Sequence, residues 1–182
     1  MSLGEYLRKM RGTTKGSPPR VSNSEILWSW VGAFLGIAGC GVLNQYYFSG
    51  HDLTLMIGSF GASAVLAYGA VRSPLAQPRN LVGGHVVSAV VGVLAWKLLH
   101  HYPWVAEAAA VATAIAVMHA TRTLHPPGGA TALIAVIGSP TVHHLGFYYV
   151  LLPATLGPLI LLAVALLVNN IPPTRRYPEI WF

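Results

Sequence analysis

The sequence predicts an all-α membrane protein, a bundle of helices that cross a lipid bilayer. Of its 182 residues, 54% are apolar and only 9% are charged. A soluble domain carries about 25% charged residues, so this composition excludes an ordinary water-soluble enzyme. The few charged residues separate long apolar runs, and glycine and proline recur inside those runs, as is typical of membrane helices.

Six apolar runs follow one another along the chain, and each is a candidate membrane helix. They cover residues 26–48, 53–71, 81–99, 104–121, 126–137 and 145–168. A helix needs about 20 apolar residues to cross the bilayer core, and the fifth run is shorter than that. Glycines interrupt the second run. We therefore expect the second and fifth runs to be short, broken or re-entrant.

The basic residues set the expected orientation. If all six runs cross the membrane from a cytoplasmic N-terminus, ten of the eleven Lys and Arg residues lie inside and only Lys97 lies outside. If the second and fifth runs are re-entrant, three arginines move outside, which leaves eight inside against three outside. Cytoplasmic loops carry the excess of Lys and Arg, so six crossings are favoured over four.

The chain accordingly divides into three parts. Residues 1–25 are expected to form a basic cytoplasmic segment without a signal-peptide pattern, residues 26–171 the transmembrane domain, and residues 172–182 a cytoplasmic tail. We expect the protein in the inner (plasma) membrane of a bacterium, with a plastid-type membrane as the alternative. The single cysteine, Cys40, lies in an apolar run and is expected to pack there.

The second and fifth runs resemble each other. Residues 61–67 (GASAVLA) align without a gap with residues 129–135 (GATALIA). Each run is the middle member of three, so a second half of residues 104–171 would repeat residues 26–100 upside down. Such inverted three-plus-three repeats are common in transporters, whose substrate sites lie where the interrupted helices of the two halves meet.

The fifth run opens with residues 125–131 (HPPGGAT), and residues 58–63 (GSFGAS) are their counterpart in the second run; this glycine-rich pattern favours an anion site. A helix start carries about half a positive charge and unpaired N–H groups, so it can hold an anion in an apolar interior. We expect the two helix starts to face each other near the membrane midplane, with the anion between them. The predicted substrate-binding residues are Ser59, Gly61, Ala62, Ser63, His125, Gly128, Gly129, Ala130 and Thr131. The alternative is that the glycines only permit close helix packing.

Three motifs together resemble the HPP family of integral membrane proteins. They are residues 58–63 (GSFGAS), 73–85 (SPLAQPRNLVGGH) and 125–132 (HPPGGATA), and the likeness covers roughly residues 25–172. Members of this family are thought to be transporters, and plastid relatives are implicated in nitrite transport. The resemblance therefore implies that this chain moves nitrite or a similar small anion. The family is usually described with four spans, which keeps the re-entrant alternative open.

Other polar residues near the runs are candidates for the pathway or its gate. They are Arg79, Asn80, His85, His119 and Arg122. His85 either lines the pathway, where it can shuttle a proton, or bonds only to the backbone. The two arginines either attract anions at the cytoplasmic mouth or anchor helices at the headgroups. The adjacent histidines at 100–101 and 143–144 do not share a helical face, so no metal site is predicted.

Small residues recur every four positions in three of the runs. They are Gly32 and Gly36; Gly84, Ser88 and Gly92; and Ala108, Ala112, Ala116 and Ala120. This spacing predicts close helix packing, either within the bundle or between copies in a homo-oligomer, which we expect to be a dimer. Pro153 and Pro158 are expected to bend the last helix and to free backbone carbonyls that need other partners.

These observations favour a transporter or channel for a small monovalent anion, with nitrite as the expected substrate. Glu107 is the only acidic residue inside a run and lies near its end, whereas a desolvated cation needs carboxylates or a ring of carbonyls. No nucleophile–base pattern or HExxH sequence predicts an enzyme, and no cofactor or nucleic-acid partner is predicted. The alternatives are a channel for ammonia or another neutral gas, lined by His85 and His119, and a non-transporting subunit of a membrane assembly.

Overall fold

The computed structural model describes residues 2–10, 16, 19–48 and 57–182, and within these ranges all regular structure is helical. The first four helices are α1 (Leu3–Met10), α2 (Asn23–Leu43), α3 (Ser59–Ala64) and α4 (Pro78–Leu99). The next five are α5 (Pro103–Ala120), α6 (Pro126–Ile137), α7 (Pro140–Leu145), α8 (Tyr148–Leu151) and α9 (Gly157–Val168). The described chain also has three π-helical segments. Asn44–Phe48 extends α2, Val65–Gly69 extends α3, and Leu152–Leu156 joins α8 to α9.

Four of the described helices are long and apolar enough to cross a membrane. They are Asn23–Phe48, Pro78–Leu99, Pro103–Ala120 and Tyr148–Val168. The fifth predicted run forms α6, whose 12 residues are too few for a full crossing. In the described part of the chain, the second run forms α3 with its π-helical extension, and its predicted first residues, 53–56, lie outside that part. The expectation that the fifth run is short is confirmed, whereas the full length of the second run stays a prediction.

Proline marks where several of these helices begin. Pro78, Pro103 and Pro126 each occupy the first turn of a helix, where a missing N–H costs no hydrogen bond. Inside the last long helix, Pro153 instead removes a donor, and the chain there takes the π-helical turn Leu152–Leu156. Within this turn, the Thr155 hydroxyl donates to the Val150 carbonyl at 2.7 Å. The helix therefore departs from regular α-helical hydrogen bonding at Pro153, and the expected bend stays a prediction.

Glycines bring α4, α5 and α6 into close contact. A Cβ atom added at Gly92 would lie 2.5 Å from the Ala132 carbonyl oxygen, and one at Gly84 would overlap Cβ of His125. A Cβ atom at Gly128 would lie 2.7 Å from Oγ of Ser88. These contacts confirm the packing stripe predicted on α4, because only residues without side chains let the backbones approach so closely.

A second set of glycines receives the ring of Tyr68, which lies in the extension of α3. Added Cβ atoms at Gly32 and Gly36 would both overlap this ring, and the Tyr68 hydroxyl donates to the Leu161 carbonyl at 2.9 Å. One aromatic side chain therefore joins α2, α3 and α9. Cys40 is buried in the same region, as predicted, with Sγ 3.8 Å from the Gly157 carbonyl oxygen.

The alanine stripe of α5 faces away from the bundle. Ala108, Ala112, Ala116 and Ala120 are all exposed, so of the two expected roles the stripe does not pack within the bundle, and contact between copies in a homo-oligomer stays a prediction. The buried face of α5 instead carries Ala106, Ala110, Ala114 and Met118. Residues two positions apart point to nearly opposite sides of a helix, so the sequence contained two alanine stripes of equal spacing and only one of them faces α4 and α6.

The contacts fix the relative directions of the helices. Gly84, Ser88 and Gly92 of α4 meet successive positions of α6, so these two helices run parallel. Ser59 of α3 meets Thr131 of α6, and Ser63 meets His125, so α3 runs antiparallel to α6. The bundle thus has two ends. The basic end contains the start of α4 with Arg79, and the Lys97 end contains the end of the same helix.

Candidate functional site

Five polar side chains meet in the middle of the bundle. Ser59, Ser63, His85, His125 and Thr131 are each no more than 1% exposed and bond to one another. We call them the histidine–hydroxyl cluster. Polar side chains in the interior of a membrane protein are costly, and they typically mark a functional site.

Three helices supply the cluster. Ser59 and Ser63 are four residues apart on α3 and therefore share one face. His85 lies on α4, two turns from its start, and Thr131 lies on the second turn of α6. His125 immediately precedes α6 in an extended conformation, which the following proline favours. The close contact of Gly84 with His125 brings α4 and α6 near enough for both imidazoles to reach Ser63.

The side chains form a continuous chain of hydrogen bonds. Oγ of Ser63 lies 2.7 Å from Nε2 of His85 and 3.0 Å from Nε2 of His125. Nδ1 of His85 lies 2.6 Å from Oγ1 of Thr131, which is in turn 2.9 Å from Oγ of Ser59. The order along the chain is therefore Ser59, Thr131, His85, Ser63, His125.

The surrounding groups hold the cluster in place. Nδ1 of His125 lies 2.8 Å from the Leu75 carbonyl oxygen, and the Tyr149 hydroxyl donates to the Thr131 carbonyl at 2.9 Å. The edge of the Phe60 ring contacts the His85 ring, with centroids 5.7 Å apart. Across the described residues, every buried polar side-chain atom has a hydrogen-bond partner. The cluster is thus fully bonded and closed to solvent.

No fixed charge lies within the cluster. In the part of the chain that the structure describes, the groups that hydrogen-bond to it are hydroxyls, imidazoles and carbonyls. None of these groups is a carboxylate, an ammonium or a guanidinium group. The chemistry available to a bound solute is therefore hydrogen bonding from groups that can each donate or accept, together with proton transfer at the imidazoles.

A cavity of about 220 Å³ opens at the basic end. Its lining consists of Gln77, Arg79, Asn80, Arg122, Ile180, Trp181 and Phe182. Arg79 donates to the Thr121 carbonyl at 2.8 Å and Asn80 to the Leu124 carbonyl at 2.9 Å, so both tie the start of α4 to the chain that leads into α6. Arg122 is exposed, with a φ of 57° that is uncommon for a residue with a side chain.

A smaller cavity of about 70 Å³ lies at the Lys97 end, over the contact between α4 and α6. Its lining consists of Val93, Trp96, Lys97, Ala135, Val142, His143 and Gly146. The His143 ring stacks on Trp96 with centroids 3.7 Å apart, and its Nε2 donates to the Val136 carbonyl at 2.9 Å. Both ends of the bundle therefore present cationic side chains, one end through arginines and the other through a lysine.

The structure brings together some of the predicted site residues and separates others. Ser59, Ser63, His125 and Thr131 meet as predicted, and His85, predicted only for the pathway, joins them at their centre. The other five predicted site residues lie outside the cluster. Gly61 and Ala62 are exposed, Gly128 is buried against α4, and Gly129 and Ala130 are half-buried. His119, also predicted for the pathway, is exposed on α5.

The arrangement of the two helix starts also differs from the expectation. They do not point at each other across a gap; α3 and α6 lie side by side and overlap by about one turn, so side chains fill the space between them. Three contributors to the site were not predicted: the Leu75 carbonyl, the Tyr149 hydroxyl and the Phe60 ring. A backbone carbonyl has no sequence signal, and Tyr149 is one aromatic residue among several at the start of an apolar run.

Comparisons with known proteins place these features in a family. Residues 18–178 match the family described as "HPP, transmembrane region". A Dictyostelium discoideum protein named as a transmembrane protein is 46% identical over 98% of this chain and 58% of its own length. A second transmembrane protein of that organism is 42% identical over 100% of this chain and 65% of its own length. The chain thus spans about three-fifths of the length of these curated relatives. No solved structure matches it.

Proposed function

Because this chain belongs to the HPP transmembrane family, we propose that it is an integral membrane transporter that carries a small monovalent anion, with nitrite as the first candidate. The observation that carries the proposal is the histidine–hydroxyl cluster, which is enclosed by an apolar bundle yet consists only of groups that bind small polar solutes. Buried polar side chains between membrane helices commonly line the route of a solute.

The chemistry of the cluster favours an anion over a cation. Hydroxyl and imidazole groups supply N–H and O–H donors, which an anion requires. A desolvated cation would need carboxylates or several converging carbonyls. The cavities at the two ends of the bundle strengthen this choice, since they carry Arg79 and Arg122 at one end and Lys97 at the other. Cationic mouths raise the local concentration of anions.

We further propose that the chain crosses the membrane six times. α3 runs from the level of Thr131 to the basic end, where the Tyr68 carbonyl accepts from Arg175, and α6 runs from the level of Ser63 toward the Lys97 end. Each short helix thus covers part of a crossing in opposite directions, as in an inverted repeat. Ion pairing and hydrogen bonds also place Arg20, Arg72, Arg79 and Arg175 at the basic end. The excess of basic residues then makes that end cytoplasmic.

This topology has a direct test. Single cysteines replace the exposed Arg72 and the exposed Lys97 in a variant that lacks the native Cys40. Six crossings predict that a membrane-impermeant thiol reagent labels Arg72→Cys only from the cytoplasmic side and Lys97→Cys only from the opposite side. Four crossings predict the reverse, with Arg72→Cys labelled from outside and Lys97→Cys from the cytoplasmic side, and that result would contradict the topology.

The transport proposal is tested by nitrite flux into proteoliposomes. Thr131→Val keeps the shape of the side chain but removes its hydroxyl, which bonds to His85. Loss of one hydrogen bond of about 1 kcal/mol predicts a flux lowered by about fivefold. The matched control is Thr113→Val, at an exposed position of α5, for which the parental flux is expected. A parental flux in folded Thr131→Val, or no flux in the unaltered protein, would contradict the proposal.

A neutral solute such as ammonia is the second candidate, because no formal charge lies within the cluster and two imidazoles face each other with ring centroids 5.1 Å apart. Competition separates the two candidates. An anion transporter takes up nitrite more slowly in the presence of nitrate, formate or chloride, provided that these anions fit the site. A channel for neutral gas conducts at the same rate with or without competing anions.

A further inference from the structure

The hydrogen-bond chain of the cluster has a direction, and one carbonyl fixes it. A carbonyl oxygen only accepts, so Nδ1 of His125, 2.8 Å from the Leu75 carbonyl, carries a hydrogen. If His125 is neutral, its Nε2 carries none, and Ser63 must donate to it across the 3.0 Å contact. The single hydroxyl hydrogen of Ser63 is then committed to His125.

The donor role of Ser63 fixes the direction of the other hydrogen bonds in the chain. Ser63 must accept from Nε2 of His85 at 2.7 Å, which leaves Nδ1 of a neutral His85 as an acceptor. Thr131 therefore donates to His85 at 2.6 Å. The hydrogen of Thr131 is then used on His85, so the 2.9 Å hydrogen bond that Thr131 donates to Ser59 in the structure is not made in this arrangement. With both imidazoles neutral, the hydrogens from Thr131 to His125 all point along the chain toward Leu75.

One added proton reverses the whole chain. When a proton reaches the Ser59 hydroxyl, each group passes one hydrogen to the next, and the last hydrogen arrives at Nε2 of His125. His125 is then an imidazolium that donates at both nitrogens. Ser63 now donates to His85, His85 donates to Thr131, and Thr131 donates to Ser59. The cluster has gained one hydrogen and one positive charge, and Thr131 now donates to Ser59 in the direction that the structure shows.

The fixed charges of the neighbouring elements lie away from this position. On α4, Arg79 is six residues before His85 and Lys97 twelve residues after it, about 9 Å and 18 Å along the axis. The described parts of α3 and α6 carry no charged residue, and α8 contributes the neutral phenol of Tyr149. On α5, Glu107 lies in the first turns, away from the basic end. Only the two imidazoles can therefore supply a positive charge inside the cluster.

We propose that one anion and one proton occupy the cluster together, with the proton held on His125, so that transport is an electroneutral proton–anion symport. The inference rests on the proposed function and specifies its coupling. A buried anion without a counter-charge costs several kcal/mol, and the added proton supplies that counter-charge at the site itself. One anion and one proton enter from one side and leave on the other, so no net charge crosses the membrane.

The coupling is tested with the purified full chain in vesicles that contain a trapped pH-sensitive dye. Potassium with valinomycin sets the membrane potential, and protein-free vesicles give the rate at which nitrous acid crosses the lipid. The unaltered protein is expected to take up nitrite at a rate that does not change when the potential is reversed, with acidification of the interior that matches nitrite entry. His125→Gln keeps a polar side chain that can donate or accept a hydrogen bond but cannot take up a proton.

The expected result for His125→Gln is a proton-coupled nitrite uptake lowered by about tenfold or more. The matched control, His144→Gln, changes an exposed histidine of α7 and is expected to keep the parental rate. Thermal unfolding of both variants shows whether they are folded, and His125→Asn serves as a second variant if His125→Gln is not. Parental coupled uptake in a folded His125 variant would overturn the role of this residue.

Failure of the coupling and failure of the proposed function give different results. If the unaltered protein takes up nitrite at a rate that follows the membrane potential, without acidification, the symport inference is overturned and the anion-transport proposal stands. If the unaltered protein takes up no nitrite beyond the protein-free vesicles, both are overturned.

Discussion

Two buried polar regions join the helices of this protein, and they are built from opposite kinds of group. In the histidine–hydroxyl cluster, each side chain can both donate and accept, and none has a fixed charge. At the basic end, the guanidinium group of Arg175 only donates, and most of its partners only accept. It pairs with the Glu25 carboxylate at 2.8 Å and also bonds to the Asn169 side-chain oxygen and the Tyr68 carbonyl, each at 3.2 Å.

The difference separates a structural site from one that can rearrange. Bonds between fixed donors and fixed acceptors have a single arrangement, so the Arg175 network locks α2, the extension of α3 and the end of α9 together. Tyr177 belongs to this locked region, and burial raises the pKa of its phenol, whose hydroxyl donates to the Ala76 carbonyl at 2.8 Å. The cluster, in contrast, consists of groups that can each donate or accept, so its hydrogen bonds can change direction when one proton is added. The proposed transport requires such a change of direction.

The largest expected effect comes from breaking the locked region. Arg175→Gln leaves the Glu25 carboxylate without its ion pair and should lower the free energy of unfolding by about 2 kcal/mol or more. Nitrite flux per folded molecule should stay near the parental value, because Arg175 does not contact the cluster. Thermal unfolding in detergent and flux in proteoliposomes measure the two quantities.

The control for this prediction is the neighbouring residue. Arg176→Gln removes the same charge at an exposed position and should leave both quantities unchanged. If Arg175→Gln abolishes flux while the protein retains its parental stability, the Arg175 network is not a purely structural region and the contrast with the cluster is wrong.

A smaller effect is expected at two adjacent glycines of α6. A Cβ atom at Gly128 would lie 2.7 Å from Oγ of Ser88 and 2.9 Å from Sδ of Met118, whereas one at Gly129 would meet only Cγ1 of Val111, at 3.9 Å. Gly128→Ala should therefore lower the free energy of unfolding by about 1–3 kcal/mol through overpacking. Gly129→Ala should change it by less than about 0.5 kcal/mol. Equal unfolding temperatures for the two variants would show that the packing between α4 and α6 is looser than described.

Most of the fold was predictable because membrane helices can be recognised in a sequence by the length and apolarity of their segments. The four long helices correspond to four predicted runs, and α6 begins and ends at the predicted residues. The face that a helix turns toward the bundle was harder to predict. The alanines of α5 form two stripes of equal spacing, and hydrophobicity does not distinguish them, so the sequence did not indicate which stripe faces the bundle.

The candidate site was predictable in its residues but not in its geometry. The matched motifs placed Ser63, His125 and Thr131 in one site, and the structure joins them. The sequence did not indicate that α3 and α6 overlap side by side, because that depends on how closely Gly84 lets α4 approach His125. For the same reason the prediction assigned the anion to backbone N–H groups, whereas the side chains of the cluster fill the space between the two helices.

Nitrite flux through Ser63→Ala tests the central claim, that the solute passes through the histidine–hydroxyl cluster, most directly. Ser63 bridges the two imidazoles, so its loss divides the hydrogen-bond chain at the centre. The matched control is Ser139→Ala, at an exposed position beside α7. For protein shown to be folded by its unfolding temperature, the account predicts a flux lowered by about tenfold or more for Ser63→Ala and parental flux for Ser139→Ala. Parental flux in folded Ser63→Ala would contradict it.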